Sequence, residues 1–272
     1  MNIGLKRMFQ FCLLLFLVGL GGMAWLFVQG NPFHTAMTQV EDERTIAGTV
    51  KALQISTSRV DVVVSASHSN QASVRLSGMV PESRQQEVTL HSELAPDGTL
   101  QVEVKELQGA TGFWHDDTHL QLEVLLPETA DGYGSIRIDT ATGDIRTDSL
   151  SAKQASIRTE TGDVALGGFI GEALELSTET GDIDLKNVTG ALRAQSTTGD
   201  VDVHHVPELL HDIWIVTDTG DVRLSVAKQP QSANLRLVSH TGDVSLEWPQ
   251  TTVRDAGPSL TVETTTGDIW IQ

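Results

Sequence analysis

The chain has 272 residues, with 36 acidic and 18 basic side chains and a formal charge of −18 at pH 7. That shortage of Lys and Arg argues against nucleic-acid binding, because contacts to the phosphate backbone dominate such affinity. A single cysteine excludes a disulfide framework and a cysteine-based zinc site, while 24 Gly and 8 Pro are an ordinary share that excludes collagen-like and low-complexity classes.

Lys6 and Arg7 precede an uncharged, largely apolar run from Met8 to Val28. At about 1.5 Å per residue such a helix spans roughly 31 Å, which matches a hydrocarbon core of about 30 Å. Residues 1–30 therefore read as a membrane anchor. The alternative is a signal peptide cleaved after Ala24 in Gly22-Met23-Ala24, although Trp25 to Val28 carry the apolar run past that site. Cys12 follows Gln10 and Phe11, too early in the run for a lipid-attachment cysteine. The basic pair stays on the cytoplasmic side, so everything beyond about residue 30 lies outside the cytoplasm. With Lys6 and Arg7 set aside, 16 bases face 36 acids, a net of −20 on the exported part.

Residues 31–44 read as a linker, and residues 45–135 as an irregular β region capping a solenoid. Within it, Val88 to Leu94 and Leu100 to Lys105 flank Ala95-Pro-Asp-Gly-Thr99, a hairpin signal. Leu122-Glu-Val-Leu-Leu-Pro-Glu128 leads into the repeats.

Residues 136–272 are a repeat domain. Thr-Gly-Asp occurs seven times, with aspartates at Asp144, Asp163, Asp182, Asp200, Asp221, Asp243 and Asp268, at intervals of 19, 19, 18, 21, 22 and 25 residues. A second anchor falls six residues after the aspartate at Leu150, Phe169, Val188, Val206 and Ala227, followed by small residues at Ala152, Gly171 and Gly190. The flanks alternate apolar and polar with period two, which is strand grammar. Gly143, Gly162, Gly181, Gly199, Gly220, Gly242 and Gly267 mark a recurring turn. No helix-length amphipathic segment separates the copies. The fold class is therefore all-β, a β-solenoid of about seven coils, roughly 30–35 Å long at about 4.8 Å per coil. The alternative is a β-sandwich of hairpins with Thr-Gly-Asp as the hairpin turn. Leu53 to Val62 aligns as a worn copy, with Val60 in the glycine position.

On the iterated T-x-T-G-D-[VI] units, the LEVLLPE lead-in and the amino-terminal apolar segment, the chain resembles the bacterial "putative adhesin" β-strand-repeat (toastrack-type) family of unknown function. The resemblance implies an envelope protein, often associated with cell-envelope stress systems, and supplies no catalytic residues. It places the anchor in a bacterial inner or cytoplasmic membrane as a single pass.

The periodic aspartates admit two chemistries. Stacked carboxylates about 5 Å apart repel by about 0.8 kcal/mol at the dielectric of water and about 3 at an effective value of 20. Calcium bridging successive carboxylates would relieve this. Alternatively each aspartate accepts backbone N–H bonds at its own turn while its charge faces water, and this reading is preferred. His115, Asp116 and His119 form one candidate metal cluster, and His204, His205 and His211 a weaker one, since alternation sends His204 and His205 to opposite faces. No nucleophile elbow, Walker loop or zincin motif is present, so catalytic residues are not assigned. Trp214 and Trp270 fall at outward positions, and the carboxy-terminal coil ends uncapped at Gln272, which makes it a candidate partner or self-association surface. The function expected is a non-enzymatic binding or scaffold module, with a protein or cationic peptide as partner and no cofactor. The alternatives are a calcium-dependent adhesin or surface structural protein and a glycan-processing solenoid enzyme.

Overall fold

The computed structural model describes residues 36–105, 119–129, 131–248 and 257–272, together with Phe16 and Gly19. The rest of the apolar amino-terminal run, with Ala24, and His115 and Asp116 lie outside the described residues. Among the described residues, no helix is long and apolar enough to cross a membrane.

The strands, in chain order, are β1 (Met37–Ile46), β2 (Ala52–Arg59), β3 (Asp61–Ser67), β4 (Ala72–Pro81), β5 (Thr89–Leu94), β6 (Thr99–Lys105), β7 (His119–Pro127), β8 (Tyr133–Thr142), β9 (Ile145–Thr161), β10 (Val164–Thr180), β11 (Ile183–Leu185), β12 (Val188–Thr198), β13 (Val201–Glu208), β14 (Ile213–Thr219), β15 (Val222–Lys228), β16 (Asn234–Thr241), β17 (Val244–Leu246), β18 (Ser259–Thr266) and β19 (Ile269–Ile271). A 3-10 turn at Glu82–Glu87 joins β4 to β5.

Each Thr-Gly-Asp is a sharp bend between a strand on one face and a strand on the other. Copies stack parallel and in register, as in Thr142↔Thr161 and Ile145↔Val164. This is a solenoid-like all-β architecture, and the pairing between copies is not that of consecutive hairpins. The 17-residue strands β9 and β10 each cross the second face of one coil and continue into the first face of the next. The worn copy β2–β3 is the first coil of the stack, pairing Thr57↔Thr140 and Val62↔Ile145. Antiparallel strands finish that end: β5 pairs with β6, which lies on β2, while β1 pairs with β4 and β4 with β7. The hairpin between β5 and β6 closes at Asp97, whose carboxylate accepts the Thr99 N–H at 2.9 Å.

Period-two alternation puts one aliphatic side chain per coil at each inward position. On the first face, Ile55, Ile138, Ile157, Leu176, Ala194, Ile215 and Val262 form one continuous buried ladder. On the second face, Val62, Ile145, Val164, Ile183, Val201, Val222 and Ile269 form another. Burying a Val, Leu or Ile side chain is worth about 1.5–3 kcal/mol, so the repeated rungs make the core. Thr147 interrupts an aliphatic ladder, and its buried Oγ1 meets no hydrogen-bond partner.

Two expectations are corrected here. The apolar anchor of the fifth copy is Val226, not Ala227: Val206 pairs with Val226, and the register shifts between Val203 and Val206. That shift is a bulge, with His204 and His205 supplying an additional residue in β13. The second correction concerns the last coil. β14 pairs with β18 and β18 with β16; likewise β15 pairs with β19 and β19 with β17. The carboxy-terminal copy is thus slotted between the fifth and sixth copies. The uncapped edge belongs to β16–β17, and β18–β19 takes the inner place.

Candidate functional site

Three strips of side chains repeat from coil to coil: the Thr-Gly-Asp bend and the outward positions of the two faces. At the bend, sequence and geometry account for each other. Every bend glycine has φ between +144° and +152°, a region that L side chains rarely adopt. A Cβ on Gly162 would fall on the Gly143 carbonyl, and a Cβ on Gly199 on the Gly181 carbonyl. The glycine is required twice, by φ and by the coil beneath it. Val60 stands at this position in the first coil, which has no Thr-Gly-Asp coil beneath it.

The aspartates do not cap their own turns. From Asp61 through Asp144, Asp163, Asp182, Asp200 and Asp221 to Asp268, each Oδ1 accepts the backbone N–H of the aspartate in the next coil, the last donor being Asp243, at 2.7–3.0 Å. This corrects the own-turn expectation. The charge is held because it binds the neighbouring coil. Beside it runs a hydroxyl ladder: Thr159, Thr178, Ser196, Thr217, Thr264 and Ser239 donate to the bend-glycine carbonyl of the adjacent coil at 2.8–3.3 Å. Backbone bonds such as Gly162 N–H to Thr180 O at 2.9 Å add to these two ladders. The tripeptide with its preceding Thr or Ser is a stacking clamp.

The outward tryptophans are where alternation puts them, but neither is bare. The Arg193 guanidinium lies 3.7 Å from the Trp214 ring centroid, and the Arg223 guanidinium 4.8 Å from that of Trp270. Register produces both stacks, since Arg193 pairs with Trp214 and Arg223 with Trp270. Arg223 also reaches Asp202 at 3.2 Å and Asp221 at 3.1 Å. Burial works against its charge, and the Asp202 hydrogen bond with the fields of Asp202, Asp221 and Asp200 overcomes this, holding the guanidinium above its ordinary pKa. The sequence marked the tryptophans and missed their arginines, because only pairing across coils reveals them.

The histidine proposals fare differently. His119 opens β7 and is exposed. His204 and His205 share a bulge in which neither is buried, so strict alternation does not separate them, and His204 Nε2 lies 3.3 Å from Asp184 Oδ1. Among the described residues, no group of three or more His, Cys, Asp or Glu side chains is placed to hold a metal ion. A shallow groove of about 270 Å³ opens on the second face where Ala165 and Gly167 leave room between Arg146, Asp148, Asp184 and Lys186. Two cations and two carboxylates line it. Sequence reading missed it because its walls come from successive coils.

The solved structure of a "putative adhesin" from Bacteroides fragilis is similar over 88% of this chain and 99% of its own, at 11% identity and a TM-score of 0.51. A "putative cell adhesion protein" from Clostridium sporogenes covers 86% of this chain and 99% of its own at 11% identity, with a TM-score of 0.36. A "putative lipid binding protein" from Parabacteroides distasonis covers 85% and 96% at 11% identity, with a TM-score of 0.35. No curated protein matches the sequence. The Toastrack DUF4097 family model matches residues 50–272, and the chain belongs to that family.

Proposed function

We propose that this chain is a non-enzymatic binding or scaffold module of the bacterial cell envelope, anchored by its amino-terminal segment with the β-stack outside the cytoplasm. The observation that carries the reading is the use of the periodic carboxylates. They are the conspicuous acids of the sequence, and all but Asp243 are committed to the N–H of a neighbouring coil, so the motif builds a rigid rod. The rod's outer faces are left for recognition. They are acidic and carry two arginine-covered tryptophans, which suits a basic protein or cationic peptide. The description of the Bacteroides fragilis relative as an adhesin accords with a binding role. A link to envelope stress belongs to the same reading.

Crosslinking in intact cells, with identification of the captured molecule, tests the binding role. The expected product is one recurring basic partner, and its absence from both faces under all crosslinkers counts against the proposal. Protease added to spheroplasts should digest the carboxy-terminal domain, and protection would overturn the topology.

A further inference from the structure

The coil at the open end of the stack, β16–β17, is built like an interior coil. Among the described residues, β16 pairs only with β18 and β17 only with β19, so within those residues one side of each strand has no strand partner. Asp243 donates its N–H to Asp268 Oδ1, and its own carboxylate meets no further Thr-Gly-Asp coil. The apolar ladders run out to this rim. Leu235, Leu237 and Leu246 are half-buried and Val244 is 45% exposed, whereas the equivalent Ile269 one coil inward is 0% exposed. The other end is finished: β1 and β5 run antiparallel to their neighbours, and β1 carries Glu41, Asp42, Glu43 and Arg44, charges of the kind that blunt an edge. Head-to-tail contact would set an apolar parallel edge against a charged antiparallel one, and repetition would give an open filament.

We infer that the β16–β17 end docks on the same end of a second copy of this chain, about a two-fold axis that sets β16 antiparallel to its counterpart. The contact closes after two copies and leaves only the two finished ends exposed. Its size is sufficient. An 8-residue strand is about 27 Å long, and two sheets with their outer side chains are about 20 Å across, so roughly 500 Å² per copy is covered, near the total of about 1,000 Å² expected of a specific interface. Its charge is favourable as well. β16–β17 and the adjoining Glu247 carry Arg236 against Asp243 and Glu247, a nearly balanced set on a chain of −18, so two acidic copies meet here with little repulsion.

Sedimentation of the full chain in detergent, at micromolar concentrations and upward, tests this against two substitutions. The wild type is expected to be a dimer. Val244→Lys sets an ammonium in the apolar rim at a position exposed enough to keep it hydrated in a monomer. It should weaken the dimer at least about tenfold. Gln39→Lys, on the β1 edge at the other end, should leave the dimer intact. A wild type that is monomeric throughout overturns the inference, as does a Val244→Lys dimer as tight as wild type or a Gln39→Lys chain that dissociates. Because Val244→Lys could loosen the end coil itself, crosslinking gives a second reading in Cys12→Ser chains. Oxidation should join two copies through Val238→Cys and not through Gln39→Cys, and the reverse pattern overturns the docking.

Discussion

Replacing Gly199 by alanine tests the central claim about the Thr-Gly-Asp bend. Gly199 sits mid-stack with φ +148°, and an added Cβ would lie on the Gly181 carbonyl oxygen and 2.5 Å from its carbon. Both obstacles are backbone, so no side chain can rotate away. Holding a Cβ in a conformation closed to L residues costs roughly 1–2 kcal/mol. Relief of the clash requires the two coils to part, which stretches the bonds from Asp200 N–H to Asp182 Oδ1 at 2.8 Å and from Gly181 N–H to Thr198 O at 2.9 Å. Losing one or two such bonds costs about 1 kcal/mol each. The sum is about 2–4 kcal/mol, or roughly 4–16 °C in Tm for a domain of this size.

The assay is thermal unfolding monitored by circular dichroism, with Gly134→Ala as control. Gly134 lies in β8 without a positive φ, and its Cβ would meet only the Lys51 carbonyl oxygen, at an ordinary 3.5 Å. The control should shift Tm by no more than a few degrees. Equal midpoints for the two variants would show that the bend glycines are not held by the coil beneath them, and the stacking clamp would fall with that result.

Asp163→Asn keeps an oxygen acceptor for the Asp182 N–H and sheds a charge, so its stability should stay within about 0.5 kcal/mol of wild type, whereas Asp163→Ala should lose about 1 kcal/mol. Excess chelator should leave the wild-type midpoint unchanged; a fall on chelation, with Asn as damaging as Ala, would restore a calcium ladder. Thr147→Val fills the same volume without the unpaired buried hydroxyl and should stabilise by about 1 kcal/mol in chemical denaturation, while a destabilised variant would point to a hydroxyl contact. Burial pushes the phenol of Tyr133, the single tyrosine, up to about 12, and its hydroxyl donates to the Pro127 carbonyl at 2.5 Å. A raised folded pKa contributes stability that is complete below pH 10 and lost as pH climbs from 10 to about 12. Phenolate absorbance should therefore titrate late, and Tyr133→Phe should flatten the alkaline loss of stability; a midpoint at the ordinary value refutes the burial argument.

The repeat was legible in the sequence because every coil makes the same contacts, and identical contacts select identical residues. The Thr or Ser two residues ahead of the tripeptide, its Gly and its Asp recur for a hydroxyl that reaches the adjacent carbonyl, a space that admits no Cβ, and a carboxylate that bridges two coils. The destination of the carboxylate was not legible, since one aspartate looks the same whether it caps its own turn or the next. Spacing held more information than was drawn from it. The interval of 21 between Asp200 and Asp221 carries the bulge at His204–His205. The longer intervals of 22 and 25 around Asp243 accompany the chain's passage outward and back. The order of the last two coils stayed hidden because the shared motif fits either neighbour. Arg223 over Trp270 distinguishes them, and that pair exists only across strands.

The slotted coil also makes synthesis and stacking run in different orders. Interior bends join partners 18–21 residues apart, while Asp268 reaches Asp221 across 47. A chain emerging from its amino terminus can add coils one by one as far as β15, but it has its final neighbour only when the last residues arrive. Until then β16–β17 can settle provisionally on β14–β15, an arrangement with the same motif contacts and the wrong coil outermost. Completing the molecule means displacing that guest. The carboxy terminus therefore works as a keystone: without it β16–β17 keeps its provisional seat on β14–β15, and the rod ends one coil short.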